Sequence, residues 1–356
     1  VQSRQVPMSV LDSMVTRILR SMFAVGLFDH PAPPEPSGYT VPVDTLANRA
    51  TALSAAEEGS VLLKNTAGLL PISGSGKRIA LIGLDAGSGA AGASQAGGSV
   101  HVNQPEVVSP LQALSARAAE SGDSVVYNDG TNVRAAAALA KSSDLAIVYA
   151  GYVESEGTDL ANFNYNSGVC TLACVTQPAN SDQLIAAVAA ANPHTAVVLN
   201  TGGPAAMPWL AQVRSVLEMW YPGEEDGHAA AALLFGDVDP SGKLPITFPA
   251  SLSQLPKQTA QQWPGVKGTA VYSEGLLVGY RWYDAKHLTP LYPFGFGLSY
   301  TTFGFSHLSV TARGSSVVVR YVLTNTGDRP GSDVGEVYVA DPAGAGEPPL
   351  QLKGYQ

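Results

Sequence analysis

An apolar run at residues 144–150, DLAIVYA, opens into GYVESEGTDL, which places Glu154, Glu156 and Asp159 within six positions of one another. Carboxyl groups at the end of a buried strand can hold and transfer protons for a reaction. They can also be the solvated acids of an ordinary loop, and residue types alone leave both readings open. The other chemistry-bearing residues are less promising. GSGAAG at residues 87–92 satisfies Gly-x-Gly-x-x-Gly after a strand-like run. A dinucleotide fingerprint, however, opens a helix whose N-terminus meets the pyrophosphate. Here Gly97, Gly98 and Pro105 follow, and no helix is expected before Ser109-Pro110, so the stretch reads as a loop over the strand ends. Six histidines, His30, His101, His194, His228, His287 and His307, show no metal-ligand spacing. No Gly-x-Ser-x-Gly elbow marks a serine hydrolase. No metal and no cofactor are expected.

The elements that must position the acids follow from periodicity. Strands are expected at residues 78–83, 124–127, 144–150, 195–199 and 215–220, with helices between them at 110–120, 131–141, 181–191 and 226–235. Continuous β-branched runs separated by helices specify an α/β fold, a mostly parallel sheet sandwiched between helices. In such a sheet the functional groups gather at the carboxyl ends of the strands, which is where Glu154 and Glu156 lie. Before this region, residues 8–28 carry Leu11, Val15, Ile18, Leu19, Met22 and Phe23 at helical spacing and predict one amphipathic helix ending at Gly26. The proline-rich DHPAPPEPSGYTVPVD after it reads as a linker. Past Tyr300 short alternating strands punctuated by Gly, Asn and Pro suggest the start of an immunoglobulin- or fibronectin-type β-sandwich. An opening helix without a partner and a short closing β-module read as a chain cut at both ends.

Bulk properties narrow the partners. With 356 residues and only 14% charged side chains, the chain is compact rather than disordered. A net charge of −9 without a basic stripe disfavours nucleic acid and anionic membranes. No apolar stretch reaches the roughly 18 residues of a membrane span, and Val1 opens no signal-peptide pattern. Cys170 and Cys174 lack both zinc-site partners and redox-motif spacing, so they read as a loop disulfide, which favours an oxidising compartment, with two buried thiols as the alternative.

Seven segments, in this order, carry a resemblance: VLDSMVTRILRSMFAVGLFD, AAEEGSVLLKNTAGLLPI, SEGTD, ANPHTAVVLNTGGPAAMPWL, EMWYPGEEDGHAAAALLFGDVDPSGKLPITFP, VYSEGLLVGYRWYD and PLYPFGFGLSYTTF. Together they resemble the carboxyl-terminal part of a glycoside hydrolase family 3 enzyme of the secreted β-glucosidase type. The resemblance implies a preceding barrel domain that carries a nucleophilic aspartate absent from this chain, this α/β sandwich carrying the acid/base glutamate, and a fibronectin type III-like domain. It divides the chain into residues 1–30, the last helix of that barrel; 31–45, a linker; 46–255, the α/β sandwich; 256–305, an interdomain extension; and 306–356, a truncated fibronectin type III-like domain. The family's Glu-Gly-Tyr-Asp-Arg pattern falls on residues 156–160 and implies that Glu156 is the acid/base. Thr158 replaces the usual aromatic, Asp159 matches, Leu160 replaces the usual arginine, and Glu154 is the fallback.

What this implies is a retaining β-glycosidase, a β-glucosidase acting on terminal non-reducing β-glucosyl residues, secreted or periplasmic. Its partners would be a β-glucoside or oligosaccharide and the missing barrel domain. A retaining glycosidase needs two carboxyl groups about 5–5.5 Å apart, one attacking the anomeric carbon and one protonating the leaving oxygen. The donor must stay protonated near neutral pH, which requires apolar walls or a negative neighbour around Glu156, and Glu154, Asp159 or the missing nucleophile could supply that charge. Residues 220–223 (WYPG) and 243–248 (KLPITF) read as packing elements, and Arg281 with its aromatic neighbours as a brace toward the barrel rather than a sugar platform. The alternative function is a non-catalytic scaffold that binds carbohydrate or a partner domain. A third, a nucleotide-binding α/β protein, would show stabilisation by a nucleotide.

Overall fold

The computed structural model of this chain describes residues 6–31, 44–87, 90, 94–102, 104, 106–157, 181–257, 259–314, 316–342 and 344–356. By its internal contacts the chain divides into Val1–Thr45 and Leu46–Gln356. The first unit holds helix α1, Met8–Ala24, on which Ile18 and Phe23 are exposed. The helix ends at Ala24, two residues before the expected end at Gly26, which turns left-handed with φ +69° while the Leu27 amide bonds back to the Met22 carbonyl.

The second unit is built on a six-stranded sheet. In chain order its elements are α2 (Leu46–Gly59), β1 (Val61–Asn65), β2 (Arg78–Ile82), α3 (Pro110–Glu120), β3 (Ser124–Asn128), α4 (Val133–Lys141), β4 (Leu145–Gly151), α5 (Ser181–Ala191), β5 (Thr195–Asn200), β6 (Ser215–Glu218) and α6 (Asp226–Phe235). The strand order is β1-β6-β5-β4-β2-β3. Only β1 runs antiparallel; the other pairings are parallel. All seven residues of β4 are buried, as befits a central strand covered on both faces. One face packs Val148 and Val197 against α4 and α5, through Ala136, Ala140, Leu184, Ile185 and Val188. The other packs Ile147 and Val198 against α3 and α6, through Leu114, Ala118, Ala230 and Leu233.

Local chemistry sets the helix ends. α3 opens with Pro110 behind a capping box in which Ser109 and Gln112 satisfy each other's backbone amides. α4 begins two residues later than its periodicity suggested because Asn132 Oδ1 accepts the Ala135 amide and so caps the helix there. α6 ends at Gly236 in the left-handed region, φ +77°. β6 likewise stops at Glu218, short of the expected residue 220, because Trp220 takes φ +57° and turns the chain away.

Beyond the sheet, helix α7 (Tyr280–Lys286) precedes two antiparallel pairs, β7 (Phe303–Arg313) with β8 (Ser316–Asn325) and β9 (Glu336–Val339) with β10 (Gln351–Tyr355). These alternating antiparallel strands fit the beginning of a β-sandwich. Asp239, in the turn after α6, accepts the Ser299 hydroxyl and the Tyr300 amide, while the Tyr300 hydroxyl donates to the Leu233 carbonyl. Lys243 pairs with Asp333 at 2.7 Å and donates to the Gly297 carbonyl. These bonds bring the residues 239–248 and 293–303 together, in line with a packing role for KLPITF. Among the described residues no helix is long and apolar enough to cross a membrane.

Candidate active site

The carboxyl ends of β2, β4, β5 and β6 lie along one edge of the sheet, and the segments that leave them meet there. From β4 the chain continues as Tyr152, Val153, Glu154, Ser155 and Glu156. Tyr152 is buried and its hydroxyl donates to the Pro204 carbonyl at 3.0 Å, which ties this segment to the loop after β5. Tyr221, from the loop after β6, accepts the Glu154 amide on its hydroxyl at 2.9 Å and donates the same hydroxyl to the Tyr152 carbonyl at 2.7 Å. One phenol therefore pins the backbone on both sides of Val153.

The Glu154 carboxylate lies against Gly202, where a Cβ would fall 2.0 Å from Oε2 and 2.8 Å from the Tyr221 ring. Glu154 is about half-buried, and that desolvation raises its pKa above the ordinary carboxylate range. Glu156 is different. Its carboxylate is held by Ser99, which donates both its amide, at 3.1 Å, and its hydroxyl to Oε2. These bonds favour the charged form and hold the Glu156 pKa below the usual range.

Ser99 is presented by the segment after β2. Gly97 donates to the Glu154 carbonyl at 2.8 Å and bridges to Ser155 in parallel register. Gly98 has φ +81°, and a Cβ there would stand 2.6 Å from that of Glu156, so only glycine carries the chain past the glutamate to Ser99. The Gly223 amide bonds to the Ser94 carbonyl and the Val108 amide to the Glu224 carbonyl, lacing this segment to the loop after β6 as well. The described segment that follows GSGAAG thus runs over the strand ends; Ala90, inside the motif, is itself helical, where no helix was expected, and the next α-helix among the described residues starts at Pro110.

The structure brings Glu154 and Glu156 together at the strand ends, but it corrects the environment expected of Glu156. Apolar walls or a negative neighbour were expected to raise its pKa; within this chain Glu156 is exposed and held by Ser99, and Glu154 is the desolvated acid. Asp159, Thr158, Leu160, Cys170 and Cys174 lie outside the described residues. Arg281 lies on α7. Its helix braces the C-terminal strands: Tyr280 accepts the Leu352 amide at 2.7 Å and packs on Phe294 and Tyr338, with ring centroids 5.1 and 5.7 Å away.

Sequence reasoning missed Ser99, Gly202 and Tyr221 as site residues. WYPG was taken only as packing, although a tyrosine at the carboxyl end of a buried strand is an available signal. Among the described residues no group of three or more His, Cys, Asp or Glu side chains is disposed to hold a metal ion.

A conserved-domain comparison assigns this architecture. Residues 60–280 match the glycosyl hydrolase family 3 C-terminal domain, and the chain belongs to that family. Over 220 residues, 60% of this chain and 25% of the relative, it is 44% identical to a protein named beta-glucosidase from Rhizobium radiobacter. It is 35% identical to thermostable beta-glucosidase B of Acetivibrio thermocellus across 100% of this chain and 46% of that protein. Among solved structures, DesR, a beta-glucosidase from Streptomyces venezuelae in complex with D-glucose, superposes with a TM-score of 0.85 at 28% identity, covering 100% of this chain and 58% of that one. Beta-D-glucoside glucohydrolase from Trichoderma reesei gives 0.84 at 30% identity, covering 100% of this chain and 54% of that one. The chain therefore spans about half the length, or less, of the curated relatives named here.

Proposed function

We propose that this chain is the acid/base-bearing part of a retaining β-glucosidase that hydrolyses terminal non-reducing β-glucosyl residues, with Glu156 as the acid/base. The observation that carries the reading is the placement of Glu156 at the carboxyl edge of the sheet, within a family 3 C-terminal domain, with its carboxylate facing solvent. A nucleophilic aspartate on a separate barrel domain would stand opposite it. Docking of that domain would cover Glu156 and set a second negative charge beside it, and both effects favour the protonated acid. The 356-residue chain alone is then expected to hydrolyse no aryl β-glucoside. A secreted or periplasmic location and a fibronectin type III-like identity for residues 306–356 belong to the same proposal.

A second assignment has its own observation. Glu154 is the carboxyl group whose environment already raises its pKa, and in that reading Glu154 is the acid and Glu156 its neighbour.

The test is Glu156→Ala in the full-length protein. Without an acid, an alkoxide cannot depart but a dinitrophenolate still can, so activated substrates should survive far better than cellobiose. Azide, which needs no general base, should accelerate turnover and give a β-glycosyl azide, reporting a covalent intermediate with retention. Glu154→Ala giving this pattern instead would move the acid to Glu154. No hydrolysis of any β-glycoside by the full-length wild type would leave the carbohydrate- or partner-binding scaffold.

A further inference from the structure

Glu218 is the last residue of β6 and is fully buried. A carboxylate there, between Val61 of β1 and Leu199 of β5 in the ladder, would carry a full charge out of water. Its two oxygens are nonetheless engaged. Oε1 accepts the Trp220 amide at 2.8 Å, and Oε2 stands 2.9 Å from Thr201 Oγ1.

The protons at Thr201 decide its state. A threonine hydroxyl carries one hydrogen. Thr201 Oγ1 lies 2.8 Å from the Gly203 carbonyl oxygen and 2.9 Å from Glu218 Oε2, both ordinary lengths for an O–H···O bond. The carbonyl can only accept. If Glu218 were ionised it too could only accept, and one hydrogen would have to serve two short contacts. The Tyr152 hydroxyl, which donates to the Pro204 carbonyl and also meets Thr201, places no proton between Thr201 and Glu218. A proton on Glu218 Oε2, donated to Thr201 Oγ1 while Thr201 donates to Gly203, satisfies every atom.

We propose that Glu218 is a neutral carboxylic acid that clamps the loops after β5 and β6 together and so positions the acid/base segment. The inference rests on the glycosidase reading for its catalytic consequence only. Thr201 precedes Gly202, against which the Glu154 carboxylate lies, and Trp220 precedes Tyr221, which pins the Glu154 amide. Trp220 is also the residue that needs tying down, since φ +57° is unfavourable for a bulky side chain. Besides the Glu218 carboxyl, its indole N–H holds it to the Gly59 carbonyl at 3.0 Å and its own carbonyl accepts from Asn200. Burial pushes the Glu218 pKa up to about 8, opposed by the Trp220 amide, the Thr201 hydroxyl contact and the Thr201 amide. The titratable groups facing it are Tyr152 and Tyr221, each of which is affected by the charge of both Glu154 and Glu218.

Two pH windows follow. The folded pKa lies above the unfolded value, so the stability Glu218 contributes is full below pH about 4.5 and declines up to about 8. The clamp itself opens as Glu218 ionises above about 8.

The experiment uses the full-length protein and its Glu218→Gln and Glu218→Ala variants. The amide of Glu218→Gln donates to Thr201 and accepts from Trp220, so below pH 8 kcat should stay within about three-fold of wild type, while Glu218→Ala loses about ten-fold or more. The alkaline limb of kcat near pH 8 should be present in wild type and absent in Glu218→Gln. Infrared difference spectra of wild type minus Glu218→Gln at neutral pH should show one protonated carboxyl band, a readout that needs no turnover. An ionised-carboxylate band in its place, or a Glu218→Gln variant as impaired as Glu218→Ala, overturns the proposal. A protonated band in a protein that hydrolyses no β-glycoside upholds the clamp and refutes the glucosidase reading instead.

Discussion

Gly202 has no side chain to spare because the Glu154 carboxylate occupies the space. With a Cβ 2.0 Å from Oε2, Gly202→Ala must displace either the loop after β5 or the glutamate. A shift of about 1 Å at a catalytic segment costs on the order of 100-fold in rate, so a large fall in kcat is expected; wild-type kinetics would show that the Glu154 position is immaterial. Ser99 gives a test of opposite sign. Its two hydrogen bonds hold the Glu156 pKa down, so in Ser99→Ala that pKa should rise toward the ordinary carboxylate value. Titration of carbon-13-labelled glutamate by NMR in the wild-type and variant chains measures it, and an unchanged midpoint would mean that Ser99 does not set the charge of Glu156.

At the scale of elements, the site is a set of strand ends held by cross-loop bonds rather than by any one rigid segment. Tyr221 is the bond with the greatest reach. Tyr221→Phe keeps the ring but leaves the Glu154 amide without its acceptor, at a cost of about 1–3 kcal/mol. Faster amide hydrogen exchange confined to residues 152–156 is expected, with the sheet core unchanged. The strands themselves tolerate less. Ile147, fully buried in the middle of β4, should lose about 2–5 kcal/mol on truncation to Ala, read as a lower denaturant midpoint with an unaltered slope.

For the molecule as a whole, buried acids make stability depend on pH in an unusual direction. Asp226 is fully buried at the start of α6, and among the described residues neither of its carboxylate oxygens has a hydrogen-bond partner. Burial, then the charge of Asp85, pushes its pKa well above the ordinary range. An acid whose folded pKa lies above its unfolded one stabilises fully at low pH, and that contribution is lost as pH rises from the unfolded value to the folded one. Asp226→Asn removes the ionisable proton. Stability should then fall less steeply as pH rises above the ordinary aspartate range, and be higher at neutral pH, than in wild type. Thermal unfolding across that range checks it, and parallel curves for the two proteins would place the Asp226 pKa near its unfolded value.

What the sequence determined by itself is the sheet. Five strands and four helices were legible because parallel strands buried on both faces must be continuously apolar, and because Ser109 and Gly236 announce helix ends through local hydrogen bonding and backbone freedom. β1 and α2 are not legible in the same way. β1 is a short edge strand whose last two residues are only half-buried, and α2 buries only Ala56, so neither has a strong period. The glutamates were found because they follow β4 directly. Their environments were not, since those depend on groups far away in the chain: Ser99 lies 57 residues before Glu156 and Tyr221 lies 67 after Glu154. Glu218 was passed over for the same reason. Its identity is plain in the sequence, but only the folded arrangement of Thr201, Gly203 and Trp220 around it shows where its proton must go, because hydrogen-bond partners and desolvation are properties of the packed loops and not of any local pattern.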